Sequence, residues 1–167
     1  MPLLDIASLP DPVLRRKAHK ITVFDKDLKI LVADMIDTMR EAPGVGLAAP
    51  QVFVSSRLIV VEYGGEENGE GKKLYVVINP ELTFPNDEKT IGVEGCLSVP
   101  GLVGEVERSR DVIVRGLNRY GKPVKIIGSG WLARIFQHEV DHLDGVVFTD
   151  RATRIWQPKS EEQIEDV

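Results

Sequence analysis

A chain of 167 residues with a formal net charge of −5, 43% hydrophobic and 28% charged residues, has the make-up of one globular domain with a substantial core. The acidic balance argues against a broad nucleic-acid footprint, and no apolar run approaches the ~20 residues of a membrane span. Residues 1–5 (Met-Pro-Leu-Leu-Asp) lack the apolar stretch of a signal peptide, and the single cysteine, Cys96, excludes an internal disulfide, so a cytoplasmic setting is expected.

Residues 5–20 hold Pro10, Pro12 and a basic cluster at Arg15, Arg16 and Lys17, which predicts an extended arm with a short helical turn. His19 has no partner at useful spacing and takes no role. Leu28, Leu31, Val32, Met35, Ile36 and Met39 form one apolar stripe, predicting an amphipathic helix over 25–40 that Asp25 can cap. Residues 44–51 (Gly-Val-Gly-Leu-Ala-Ala-Pro-Gln) read as a tight loop after that helix. Their small side chains allow close approach, and Gln51 is the one side chain there able to hydrogen-bond a substrate carbonyl. The spacing fits neither a phosphate loop nor a dinucleotide site.

Residues 57–63 and 74–79 are rich in β-branched residues and read as strands, the second ending at Pro80, with a polar glycine-rich connection between them. Residues 111–117 and 123–127 form a second pair around the turn at 118–122. Strands this close in sequence predict antiparallel pairing. Residues 129–144 read as a helix apolar on more than one face, hence central, and Gly145 ends it. The expected fold is α+β: antiparallel β-sheets packed around a central helix, with an N-terminal amphipathic helix, in a single domain over 1–167. Residues 156–167 read as a polar, loosely ordered tail.

The central helix carries Gln137-His138-Glu139-Val140-Asp141-His142. Histidines four apart on a helix project from nearly one face, where they can grip a divalent ion while the intervening Glu139 handles protons of a bound water. A third ligand must come from elsewhere. Completion by a histidine three residues after Gly145 fails, because that position is Phe148, and Glu161, Glu162 and Glu165 stand in a tail without helical apolar spacing. Cys96 is the remaining soft donor. A lone cysteine is more often a small buried apolar side chain, but the site lacks one donor and the chain offers one thiol. Cys-His-His leaves one coordination position open, as a catalytic metal requires.

Residues 44–51 (Gly-Val-Gly-Leu-Ala-Ala-Pro-Gln), 94–98 (Glu-Gly-Cys-Leu-Ser) and 137–142 (Gln-His-Glu-Val-Asp-His), in this order and spacing, closely resemble the three signature motifs of the peptide deformylases. Residues 10–15 (Pro-Asp-Pro-Val-Leu-Arg) resemble that family's N-terminal segment, and the likeness covers about residues 5–150. The resemblance implies a hydrolase that removes the formyl group from the N-terminal formyl-methionine of new polypeptides, releasing formate. It implies Cys96, His138 and His142 as ligands of one divalent metal ion, ferrous iron first and zinc, nickel or cobalt as alternatives. Glu139 is implied as acid–base, and Gln51 and the Leu97 N–H as oxyanion donors. Gly46, Val45, Trp131 and Ile135 are the candidate substrate contacts, the last three as walls of the methionine pocket. Glu94 and Asp141 are candidates for support behind the ligands.

The chain departs from the family pattern in two places. Val103 stands where many members carry an arginine that contacts the peptide backbone, and the tail from Gln157 is short and acidic where some members have a basic helix that docks on the ribosome. Ribosome docking by that route is therefore not expected, nor is nucleic-acid or membrane binding; the expected partners are N-formyl-methionyl peptides. Two other readings start from the same residues. A metallopeptidase cutting internal bonds is disfavoured by the failed downstream ligand search, and a purely structural metal has no need of Glu139.

Overall fold

The computed structural model describes residues 3–64 and 71–158. Its helices are α1 (Lys26–Glu41), α2 (Trp131–Leu143) and the single turn α3 (Phe148–Arg151). The strands are β1 (Gly46–Ala48), β2 (Leu58–Tyr63), β3 (Lys73–Thr83), β4 (Lys89–Gly95), β5 (Val103–Ser109), β6 (Asp111–Leu117), β7 (Pro123–Ser129) and β8 (Arg154–Trp156). They pair antiparallel in a five-stranded sheet, β1-β2-β3-β6-β7, and a three-stranded sheet, β4-β5-β8. The expected α+β class with antiparallel sheets holds, and no helix among the described residues is long and apolar enough to cross a membrane.

The larger sheet is apolar on both faces because helices cover both. Leu58 and Val60 of β2 meet the α1 stripe of Leu28, Val32, Met35, Ile36 and Met39. The alternate residues Ile59 and Val61, with Val77, Val112 and Val114, meet Ala133, Ile135, Phe136 and Val140 of α2. Burying such a side chain contributes ~1.5–3 kcal/mol, so these two layers fix where α2 lies. Helix α1 starts where expected: the Asp25 carboxylate accepts from Leu28 N–H at 3.0 Å. Helix α2 ends at Gly145, whose φ of 76° favours glycine.

Four sequence expectations need correction. Residues 44–51 are not a plain loop: Gly46–Ala48 pairs with Val61–Ile59 as an edge strand, and Ala49–Val52 closes into a 3₁₀ turn. Pro80 does not end its strand, which runs on to Thr83 through a bulge between Ile78 and Glu81 where the ladder needs no N–H from proline. The three-stranded sheet was not anticipated. Trp156, placed in the tail by its sequence, pairs with Val103 as part of β8. The rest of that tail from 159, with Glu161, Glu162 and Glu165, lies outside the described residues, as do 65–70 of the glycine-rich connection.

Candidate metal centre

Helix α2 carries a buried polar face, Arg134, Gln137, His138, Glu139 and His142, turned toward the three-stranded sheet and the β1 edge. Gln137 explains part of this placement: its amide accepts from Ser109 N–H at 3.0 Å and donates to Ser109 C=O at 2.8 Å, docking the helix on the end of β5. The N-terminal segment stitches the other side. Ala7 N–H donates to Gln51 C=O and Leu9 N–H to Ser98 C=O, joining the 3₁₀ turn to the loop after β4.

Cys96, His138 and His142 converge, each offering a ligand atom within 4.8 Å of the others, and all are buried. Cys96 Sγ lies 3.4 Å from His142 Nε2. The two imidazole centroids are 5.0 Å apart, and Phe148 of α3 stacks on His138 at 6.2 Å. His138 Nδ1 meets Glu94 Oε1 at 2.9 Å, which turns Nε2 toward the cluster, where it has no hydrogen-bond partner among the described residues. A buried imidazole nitrogen without a partner costs free energy unless something binds it, so the donor set fits a divalent ion. Electrostatics point the same way. Burial lowers the His138 pKa, but the nearby Cys96 side chain, the hydrogen bond to Glu94 and the Glu139 charge outweigh it and push it up to about 10. Positive charge is favoured at this spot, and a bound cation would satisfy the same pull. His142, by contrast, is held well below its usual value by burial and by the His138 charge, and stays neutral.

Glu139 is fully buried and neither carboxylate oxygen has a hydrogen-bond partner among the described residues. Burial pushes its pKa up to about 7, the range of a proton carrier at neutral pH. Gln51 Oε1 accepts from Ala48 N–H at 2.9 Å, which orients the amide so that Nε2 points to Ser98 Oγ at 3.1 Å and Cys96 Sγ at 3.6 Å. The Leu97 N–H makes no hydrogen bond among the described residues. Gly46 lies against Glu139, and Val45, Trp131 and Ile135 share one apolar cluster. Val45 and Trp131 are half-buried and Ile135 is fully buried.

Glu94 touches His138 directly. Burial raises its pKa, but hydrogen bonds from Arg108 and His138 outweigh this and hold it below the usual carboxylate range. Asp141 is one step removed, accepting from Arg108 Nη1 and Arg151 Nε, each at 2.6 Å. Arg108 and Arg134 were missed in the sequence. Their one signal was a charged residue on a strand and a helix otherwise destined for the interior. Val103 is buried in β5 between Gly95 and Trp156, with no cation of its own to offer a peptide.

Residues 3–157 match the family model of polypeptide deformylase. The chain is 52% identical over 155 residues to a peptide deformylase of Halothermothrix orenii, covering 93% of this chain and 97% of that one. It is 47% identical over 159 residues to one of Desulforudis audaxviator, covering 95% and 99%. The crystal structure of the Thermotoga maritima peptide deformylase superposes with a TM-score of 0.83 at 42% identity, covering 92% of this chain and all of that one. The Synechococcus elongatus enzyme in complex with actinonin gives 0.83 at 39% identity, covering 92% and 81%. On this agreement of sequence, fold and buried Cys-His-His cluster, the chain belongs to the polypeptide deformylase family, metal-dependent hydrolases that remove the N-formyl group from new peptides.

Proposed function

We propose that the deformylation takes place at the Cys96–His138–His142 cluster, with these three side chains holding one divalent ion. A divalent ion there would polarise the formyl carbonyl and lower the pKa of a water toward neutrality. Ferrous iron is the proposed occupant, with zinc, nickel and cobalt acceptable to the same imidazole and thiolate donors. The convergence of three buried donors beside an unpartnered buried carboxylate carries this reading.

Glu139 takes a proton from the attacking water at a carboxylate oxygen and delivers it to the departing amine nitrogen. The amide of Gln51, fixed by Ala48 N–H, and the free Leu97 N–H donate to the oxygen that gains charge as the formyl carbon becomes tetrahedral. The Gln51 amide is oriented before substrate arrives and has only to exchange its long 3.6 Å contact with Cys96 Sγ for the developing oxyanion. Val45, Trp131 and Ile135, which share one apolar cluster, are the proposed walls of the methionine pocket. Gly46 stands on the outer edge of the five-stranded sheet, where unpaired backbone groups can receive an extended peptide. The proposed substrates are N-formyl-methionyl peptides, the proposed compartment is the cytoplasm, and residues 1–167 act as one catalytic domain.

Formate release from formyl-Met-Ala-Ser, using protein prepared anaerobically with ferrous iron, tests the reading. Turnover is expected, with loss of ~10²–10⁴-fold in Glu139→Gln at unchanged iron content. Full activity in that variant would overturn the assignment of Glu139.

A further inference from the structure

We propose that Arg134 is a positioning residue of this site, its guanidinium setting the distance between the strand that leads to Cys96 and the helix that carries His138. The proposal rests on Cys96 and His138 being metal ligands. Arg134 precedes His138 by one helical turn and is 2% exposed. Its Nη1 donates to Glu94 Oε2 at 2.7 Å and to Val106 C=O at 2.8 Å. Its Nη2 donates to Thr90 C=O at 2.9 Å and meets Thr90 Oγ1 at 3.3 Å. One planar group from α2 therefore reaches β4 at two points and β5 at a third.

The same bonds complete the shell of Glu94. Its Oε1 receives His138 Nδ1 and Arg108 Nη2, each at 2.9 Å, and its Oε2 receives Arg108 Nε at 2.9 Å besides Arg134. Four contacts fill the acceptor capacity of the carboxylate and leave it one orientation. Arg108 belongs to β5 and reaches the ligand helix only through Asp141, whereas Arg134 ties Glu94 to that helix as one of its own residues. Glu94 in turn orients the His138 ring, and two residues further on the strand delivers Cys96.

The strand is shaped to admit this side chain. Thr90, Gly92 and Glu94 alternate onto one face of β4, and the guanidinium bonds the outer two while crossing the middle one. A Cβ at residue 92 would lie 2.9 Å from Arg134 Cζ and Nε. Gly92 and Arg134 thus form a complementary pair, and a lysine lacks the fork needed to span Thr90 and Glu94 together.

Cobalt(II)-loaded protein gives readouts independent of turnover: the visible spectrum of the thiolate-ligated ion and the rate of its transfer to a chelator. Arg134→Leu is expected to shift the spectrum, to release cobalt ~10–100-fold faster, and to lower kcat with KM within twofold of wild type. Gly92→Ala is expected to do the same, and the double variant to be no worse than Arg134→Leu alone. Arg134→Lys, which keeps the charge, is expected not to restore slow release. Wild-type spectrum and release rate in folded Arg134→Leu would overturn the proposal. Should that variant not fold, the same result in Arg134→Lys would overturn it, and fast release would support it. A wild type that binds no cobalt would instead overturn the ligand assignment, and this proposal with it.

Discussion

A Cβ placed on Gly46 would lie 2.5 Å from Glu139 Oε2 and 2.9 Å from its Cγ. The edge strand and the helix carboxylate share space that any side chain would need. Gly46→Ala is therefore expected to push Glu139 off its position and to reduce kcat by ~10²-fold, since misplacement by about 1 Å costs that much in a preorganised site. Steady-state formate release beside far-UV circular dichroism checks it. Undiminished kcat would show that the carboxylate has freedom to move.

Gln51 has one structural job and one proposed catalytic job, which two measurements on a single variant separate. In Gln51→Leu, Ala48 N–H loses its acceptor, at a cost of ~1–3 kcal/mol, and the site loses a proposed oxyanion donor, worth ~10²–10³-fold in kcat. Thermal melting reads the first effect and turnover at saturating substrate the second. A stability loss with kcat intact would leave the amide a purely structural role.

Cys96 and His142 are 46 positions apart in the chain, so the unfolded protein presents no preformed ligand set. An ion that binds only the folded form stabilises it by about 2.7 kcal/mol at 100 times its dissociation constant. Dialysis against a chelator is expected to lower the melting temperature, and anaerobic return of ferrous iron to restore it. Coincident melting curves with and without the ion would contradict the assignment.

The acid limb of stability follows from Glu94. Its folded pKa lies below the unpaired value of 4.5, so the folded form binds the proton less readily than the unfolded chain. The stabilisation is full above that value and is lost as pH falls through the folded pKa. With chelator present throughout, so that ion release plays no part, the urea midpoint is expected to fall steeply below pH 4.5. Glu94→Gln leaves the Arg108 and Arg134 guanidinium groups without their buried counter-charge, costing ~3–5 kcal/mol at pH 7, and should flatten that limb.

The sequence reading succeeded where burial and periodicity agree. The α1 stripe and the β2 run name their own faces, and the H-E-x-x-H spacing on α2 marks a helix face whatever surrounds it. The same logic hid the three-stranded sheet. On β4 the interior position is Glu94, neutralised by Arg108 of β5, while Ile91 points outward at 69% exposure. Alternation read from polarity thus assigns β4 inside out, and on β5 the buried Arg108 beside the buried Val106 interrupts the pattern. Gly92 and Gly104 further weaken the pattern, each filled in space by another residue's side chain. The Cys96 position was legible by elimination, because only one thiol exists. Arg134 was not, since a helical arginine beside a metal motif normally reads as solvent-facing.

The two sheets divide the proposed site between them. Gly46 and Gln51 belong to the larger sheet and its following turn, Cys96 and Leu97 to the end of the smaller one, and α2 lies between. Because α2 packs on the larger sheet, an ion joining Cys96 to the helix and a peptide held by Gln51 and Leu97 would each tie the smaller sheet to the larger. Such ligands are expected to be cooperative, and reciprocally so: whatever factor the ion adds to peptide affinity, the peptide adds to ion retention. Metal lability measured during turnover would then understate the lability of the resting protein, and a tight peptide mimic would act as a lock on the ion as well as a block to substrate.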